Sequence, residues 1–328
     1  MPSPLRKLAN ETALYGLSSI VGRVLNYLLV PFYTSILIPA EYGVVVEWYA
    51  YAAFLQILYT YGMETAYFRF AARAPHYFHV ATSALLTSSL VFSALLVLAA
   101  APLVRLVGYP GSSHYVYYIA AILAVDTALA IPFAQLRLQK RARRFASIKL
   151  FQIILNVLLN VAWLYESPYT LPTSWRLYTP IERVEYIFIA NLVANAAAIP
   201  LFTATWRQLR FRLPWHSLRP MLVYALPLLL MGLAGTTNEM MSRAALRHWM
   251  PAHLYPHQHN DAVLGIFGAC YKLSIFMSLG VQAFRYAAEP FFFAQAQERH
   301  APTLLSDVMH WFIVVACFLL FAVSVNLD

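Results

Sequence analysis

Charge is what this sequence has least of. Only 11% of its 328 residues are Asp, Glu, Lys or Arg, and 61% are hydrophobic, whereas soluble domains carry roughly 25% charged residues. So few charges cannot solvate the surface of a chain this long, and a mean hydropathy of +0.59 assigns most of it to lipid. Cysteine is nearly absent too. Cys270 and Cys317 both fall in apolar stretches, so neither a disulfide framework nor a cysteine metal site follows. A glycine-rich phosphate loop ending in Lys-Ser/Thr and a nucleophile elbow are missing as well. Their absence argues against direct ATP hydrolysis and leaves no catalytic residue to name, so the chain reads as a non-enzyme. The first apolar segment is too long for a cleavable signal and is not followed by a small-residue cleavage site.

What the sequence does have is long apolar runs, nine of them at span length. They lie at about 12–37, 44–63, 80–104, 115–136, 146–165, 184–205, 221–245, 262–284 and 308–325, against the roughly 20 residues needed to cross a bilayer. Between the first two runs, Ile38 to Gly43 reads as a turn because its Pro and Gly break helices. The expected fold is an all-α polytopic membrane bundle.

The net charge of +9 comes from short basic loops. Sixteen Lys and Arg fall at the N-terminus and in the loops after runs two, four, six and eight, with Lys149, at the start of run five, counted with the basic loop before it; four, Arg105, Arg176, Arg183 and Arg247, fall on the other side. That asymmetry places the N-terminus in the cytoplasm and explains the basic balance better than nucleic-acid binding does. Tyr15-Gly-Leu and later Glu41-Tyr-Gly-Val-Val are echoed by Tyr224-Ala-Leu-Pro and Val263-Leu-Gly-Ile-Phe. A parallel six-span repeat is therefore expected, with a first lobe over 1–213 and a partial second lobe over 214–328. With three spans in the second copy, the chain reads as a truncated product.

Ionisable residues inside the runs are the candidate site, because charge deep in a bilayer is expensive. Arg23 lies about eleven residues, roughly 16 Å, into the first run. It shares a helical face with Thr12, Gly16, Ser19, Asn26 and Thr34. Asp126 sits about as deep in the fourth run, as Arg23's ion-pair partner or as a proton or sodium site. Glu239 and Arg243 stand at i and i+4 in the favourable order, and Lys272 lies near mid-membrane in the eighth run. Glu47, near the outer end of the second, reads as an interfacial acid or an ion-coupling group. His248, His253, His257 and His259 with Asp261 match no standard zinc spacing, so no metal is expected. The Trp48 cluster, WYAY, fits an aromatic belt at the interface. Pro31, Pro132, Pro200 and Pro227 permit kinks.

The stretch from Leu8 to Phe70, and above all LVPFYTSILIPAEYG, resembles the opening of bacterial Wzx-type polysaccharide flippases, relatives of the multidrug and toxin extruders. YALPLLLMGLAGTTNEMMSRAALRHWM and QAFRYAAEPFFF resemble the start of the second lobe in that family. The resemblance implies a MATE-like carrier in the bacterial inner membrane that moves undecaprenyl-diphosphate-linked oligosaccharide, a polysaccharide or O-antigen precursor, to the outer leaflet by alternating access. Its partners would be the lipid-linked glycan, the bilayer and the polysaccharide polymerase machinery, with proton or sodium coupling and no other cofactor. Arg23, Asn26, Arg243 and Lys272 are the expected substrate contacts, and Asp126, Glu239 and Glu47 the expected coupling or ion-pair groups. Alternatives are a multidrug or small-solute antiporter of the same fold, or a non-transporting remnant. A membrane glycosyltransferase or polymerase would need a large catalytic outer loop, and the longest outer loops here hold only about 17 residues.

Overall fold

Apolar runs in lipid must satisfy their own backbone groups, and the helix does so within one segment. The computed structural model describes residues 25, 27–71, 74–109, 111–166, 183–251, 259–273 and 301–325, with some side chains undescribed within that range, and among these it is helices joined by turns and short connections, with no strand. In chain order the helices are α1 (Tyr27–Ile36), α2 (Pro39–Thr60), α3 (Met63–Ala71), α4 (Tyr77–Leu98), α5 (Ala100–Val107), α6 (Ser113–Leu138), α7 (Ala142–Glu166), α8 (Arg183–Ala196), α9 (Thr203–Gln208), α10 (Trp215–His248), α11 (Asn260–Leu273) and α12 (Ala301–Val325). Five of them, α4, α6, α7, α10 and α8 continued to Gln208, are long and apolar enough to cross a membrane.

The turn expected at Ile38 to Gly43 is instead the first turn of α2. Pro39 occupies a leading helical position, where its missing N–H costs nothing. The Glu41 carboxylate accepts from the Ile38 N–H at 3.0 Å. The break comes later, at Tyr61 and Gly62, whose φ values of 34° and 71° are left-handed. A side chain at 62 would meet Leu228 Cβ at 2.9 Å and the Ala225 carbonyl at 3.0 Å, so glycine serves both the turn and the approach of α10. The third run is likewise two helices, α4 and α5, joined at Ala99.

Alternating direction gathers the loops at two ends. One end holds the α1–α2 junction, the turn residues Gly108, Tyr109 and Ser112, and the last turn of α10 beside the first turn of α11. The other holds the basic turns around Lys140 and Arg210. The core near the first end packs Trp48, Tyr115 and Phe188 with Tyr42 and Leu264. A second core near the basic end packs Met63, Phe70, Phe78 and Met221. Leu90, Leu95 and Leu98 on α4, Leu230 and Met231 on α10, and Ile313, Val315, Phe318 and Phe321 on α12 carry exposed apolar side chains, which suits a face toward lipid acyl chains.

α2 and α11 run parallel and almost touch. A Cβ added at Gly43 would stand 2.0 Å from the Asp261 carbonyl oxygen, and one at Gly265 would stand 2.0 Å from that of Pro39. Small residues that let backbones meet are how helices associate without a hydrophobic drive between them.

Candidate functional site

Glu47 is the most deeply buried charge described, with 1% of its surface exposed. A carboxylate cannot stay there unless it is paired and hydrogen-bonded. Its partner is Arg247, 200 residues away, whose Nη1 donates to Glu47 Oε2 at 2.6 Å and to the Val107 carbonyl at 2.8 Å. The Arg247 Nε donates to Asp261 Oδ1 at 2.7 Å. Tyr51 donates to Glu47 Oε1 at 2.6 Å and Tyr109 to Glu47 Oε2 at 2.8 Å. The guanidinium carbon lies 3.6 Å from the Tyr109 ring centroid. Burial and the Glu47 carboxylate push the Tyr109 phenol well above its ordinary range, so it keeps its proton and serves as a donor.

Each part of this cluster follows from local sequence. Glu47 and Tyr51 are four apart on α2 and share a face. Arg247 sits in the last turn of α10, Asp261 in the first turn of α11, and Asn260 Nδ2 donates back to the Arg247 carbonyl at 2.8 Å. Trp48 closes the cluster from the side, its ring 5.9 Å from Tyr109 and 5.6 Å from Tyr115.

Directly beneath the cluster is a cavity of about 370 Å³, within the range of ligand sites. Its lining comes from both halves of the chain: Tyr33, Tyr49, Asn156 and Asn191 from α1, α2, α7 and α8; Arg243, Gly268 and Tyr271 from α10 and α11. Arg243 lies one turn before Arg247 on α10, and its guanidinium carbon is 5.2 Å from the Tyr271 ring centroid. The polar wall opposite is built of amides. Tyr33 donates to Asn160 Oδ1 at 2.9 Å, and Asn160 Nδ2 donates to Asn156 Oδ1 at 2.9 Å. Asn195 Nδ2 donates to Asn191 Oδ1 at 2.9 Å, and Tyr49 is within hydrogen-bonding reach of Asn191.

Asp126 interacts electrostatically with Lys149 on α7 and with Tyr49. Lys149, counted with a basic loop by sequence, stands two turns inside α7 with its ammonium 4.2 Å from the Phe133 ring centroid. Arg23 and Asn26 lie outside the described residues, as do the side chains of Glu239 and Lys272, so the expected Arg23–Asp126 and Glu239–Arg243 pairs are not among the contacts described. His259 Nδ1 is 3.3 Å from Asp261 Oδ2. Among the described residues no three His, Cys, Asp or Glu side chains are grouped to hold a metal. Cys270 and Cys317 are free and exposed.

Sequence reasoning counted Arg247 among the outer-side charges, weighed Asp261 only with the histidines near it, and did not single out Tyr109. The available signal was spacing: Arg243 and Arg247 are i and i+4, so a cavity-facing Arg243 brings Arg247 to the same side.

At the basic end a second cavity, of about 860 Å³, lies between α3 and α10 and is lined by Arg69, Phe70, Trp215, His216, Arg219 and Tyr224, among others. The Arg69 guanidinium carbon is 4.3 Å from the Tyr224 ring centroid.

A helical bundle with membrane-length apolar helices and a cavity lined by Arg243, tyrosines and asparagines defines a polytopic membrane protein. More specifically, the chain belongs to the polysaccharide biosynthesis protein family, whose profile matches residues 34–246. No curated protein matches the sequence. One solved protein chain shares the fold with a TM-score of 0.55 at 17% identity, over 89% of this chain and 65% of its own. The chain therefore spans less than two thirds of that relative's length.

Proposed function

We propose that this protein moves an undecaprenyl-diphosphate-linked oligosaccharide, a precursor of polysaccharide or O-antigen, from the cytoplasmic to the periplasmic leaflet of the bacterial inner membrane by alternating access. The observation that carries the reading is the cavity shared between α1, α2, α7 and α8 on one side and α10 and α11 on the other, with the Glu47–Arg247–Asp261 cluster closing one end. In this reading residues 1–213 form one lobe and 214–328 part of a second. The basic turns mark the cytoplasmic end, so the cluster seals the periplasmic end. Breaking it would let the lobes part there and admit the outer leaflet to the cavity.

A guanidinium offers a planar fork of donors to phosphate oxygens, and Arg243 is positioned to do so from the cavity wall; Arg23, Asn26 and Lys272 complete the proposed substrate contacts. Tyrosine rings and amides suit the sugars. Asp126 with Lys149 is the proposed proton- or sodium-responsive pair, with Glu239 a further candidate for coupling. A drug exporter of the same fold would call for an apolar cavity, and the amides and arginine here favour the glycan. The polysaccharide polymerase machinery is the expected recipient of the product. The test is genetic. In cells lacking the native gene, the protein in its full native context restores surface glycan, Arg243→Ala lowers it at least tenfold, and Arg243→Lys restores part of it. Unchanged glycan in the Arg243→Ala strain would remove the phosphate role.

A further inference from the structure

The amides of α7 and α8 are more than glue between helices. Gln152 Nε2 donates to Asn195 Oδ1 at 3.3 Å, joining α7 to α8, and Tyr33 joins α1 to α7 through Asn160. Those bonds fasten the bundle. The next link in each chain leads to the cavity, and in one of them the direction is fixed by the backbone. Asn160 Nδ2 donates to the Asn156 backbone carbonyl at 2.7 Å. A carbonyl can only accept, so this end of Asn160 is its NH2 group. The same NH2 group reaches the Asn156 side chain at 2.9 Å, which must therefore present Oδ1 to it. Asn156 Nδ2, with its two N–H donors, is left for the cavity it lines. In the second chain Asn195 Nδ2 donates to Asn191 Oδ1, and Asn191 Nδ2, with one N–H toward the Tyr49 hydroxyl, keeps its second N–H for the cavity it lines.

Two relays thus end as N–H donors on one wall. Each donor group belongs to an amide whose oxygen already accepts, and such chains polarise their members in a low-dielectric interior. The matching ligand atoms are neutral oxygens with spare lone pairs. Sugar hydroxyls and acetamido carbonyls fit that description, and the rings of Tyr33 and Tyr49 beside the donors offer apolar surface to the C–H faces of a pyranose. Charge is on the other wall: Arg243 on α10, against Tyr271 of α11. We propose that the α7–α8 wall is a sugar-reading subsite, in which Asn156 and Asn191 donate to hydroxyl or acetamido oxygens of the first sugar while Arg243 holds the diphosphate. This rests on the flippase reading and adds to it the division of the cavity into a sugar wall and a phosphate wall.

The test is equilibrium binding to the purified full-length protein in nanodiscs. The probes are farnesyl diphosphate and farnesyl diphosphate bearing glucose, galactose or N-acetylglucosamine. The wild-type protein should bind at least one glycosylated probe more tightly than the bare diphosphate. Asn156→Ala and Asn191→Ala should each reduce that gain about three- to tenfold, the worth of one or two hydrogen bonds, with bare-diphosphate affinity unchanged. Arg243→Ala should weaken all probes alike. Gln152→Ala, which breaks the first link of the second relay but removes no donor from the cavity wall, should lower thermal stability and reduce the sugar-dependent gain less than Asn191→Ala does. If Asn156→Ala does not fold, Asn156→Ser retains a hydroxyl for the relay and removes the amide donors. A wild-type protein that binds the bare and glycosylated probes equally, or amide variants that weaken both equally, would overturn the sugar wall and leave the flippase reading standing. A wild-type protein that binds none of the probes would overturn both.

Discussion

Arg247 shows how much one side chain can do in a bundle poor in charge. It has two carboxylates, a backbone carbonyl and an aromatic face as partners, and its side chain is 8% exposed. Removing one member of a buried ion cluster costs about 3–5 kcal/mol, because the remaining charge is left uncompensated. Arg247→Ala should destabilise the protein in detergent by an amount of that order, read from chemical unfolding. The Glu47→Ala/Arg247→Ala double variant should cost less than the two single losses added together, since it removes both charges. Strict additivity would mean that the two residues do not act as a pair. Tyr109→Phe keeps the ring under the guanidinium and deletes one donor to Glu47, so its cost should be about 1–2 kcal/mol by the same measurement.

At the scale of elements, α2 and α11 meet backbone to backbone, and glycine makes that possible. The atoms facing Gly43 and Gly265 belong to backbone, which cannot swing aside as a side chain can. Gly43→Ala must therefore push the helices apart at the end where Glu47, Arg247 and Asp261 meet. Spin labels at Ile38 and His259, both exposed, should report a longer distance in Gly43→Ala than in the parent. An unchanged distance distribution would show that the contact yields elsewhere. A Cβ added at Gly268 would first meet Val46 side-chain atoms, so Gly268→Ala with Val46→Ala should separate the helices less than Gly43→Ala alone. The periodicity of the sequence located these helices well. It misjudged their ends, because a Pro-Ala-Glu-Tyr-Gly stretch that reads as a turn in isolation becomes a capped first helical turn once Gly43 is needed against α11.

At the scale of the molecule, the basic turns and the ion cluster occupy opposite ends, and orientation is the property to measure. Single cysteines at His259 and at Arg143, in a background without Cys270 and Cys317, should react with a membrane-impermeant maleimide from opposite sides. His259 should react in intact spheroplasts and Arg143 only after lysis. The reverse pattern would invert the proposed direction of transport. Spans were legible because burying backbone in lipid demands long apolar helices, a constraint written in every window of the sequence. The pairing of ionisable groups was not, because it depends on which faces meet. Glu47 read as an interfacial acid or a coupling group from its position near a helix end, yet Arg247 of α10 and Tyr109 of the α5–α6 turn close over it. Lys149 looked like part of a basic loop, yet α7 begins seven residues earlier and carries it inward beside Asp126.

The sequence by itself determined an all-helical membrane protein with basic turns on one side, since hydropathy and charge asymmetry act locally and need no knowledge of neighbours. Only the tertiary structure decided that Glu47, Arg247 and Asp261 form one cluster above a cavity walled by amides and Arg243. Those residues are separated by up to 200 positions, and what brings them together is the close approach of helices that glycine permits, which no single segment encodes.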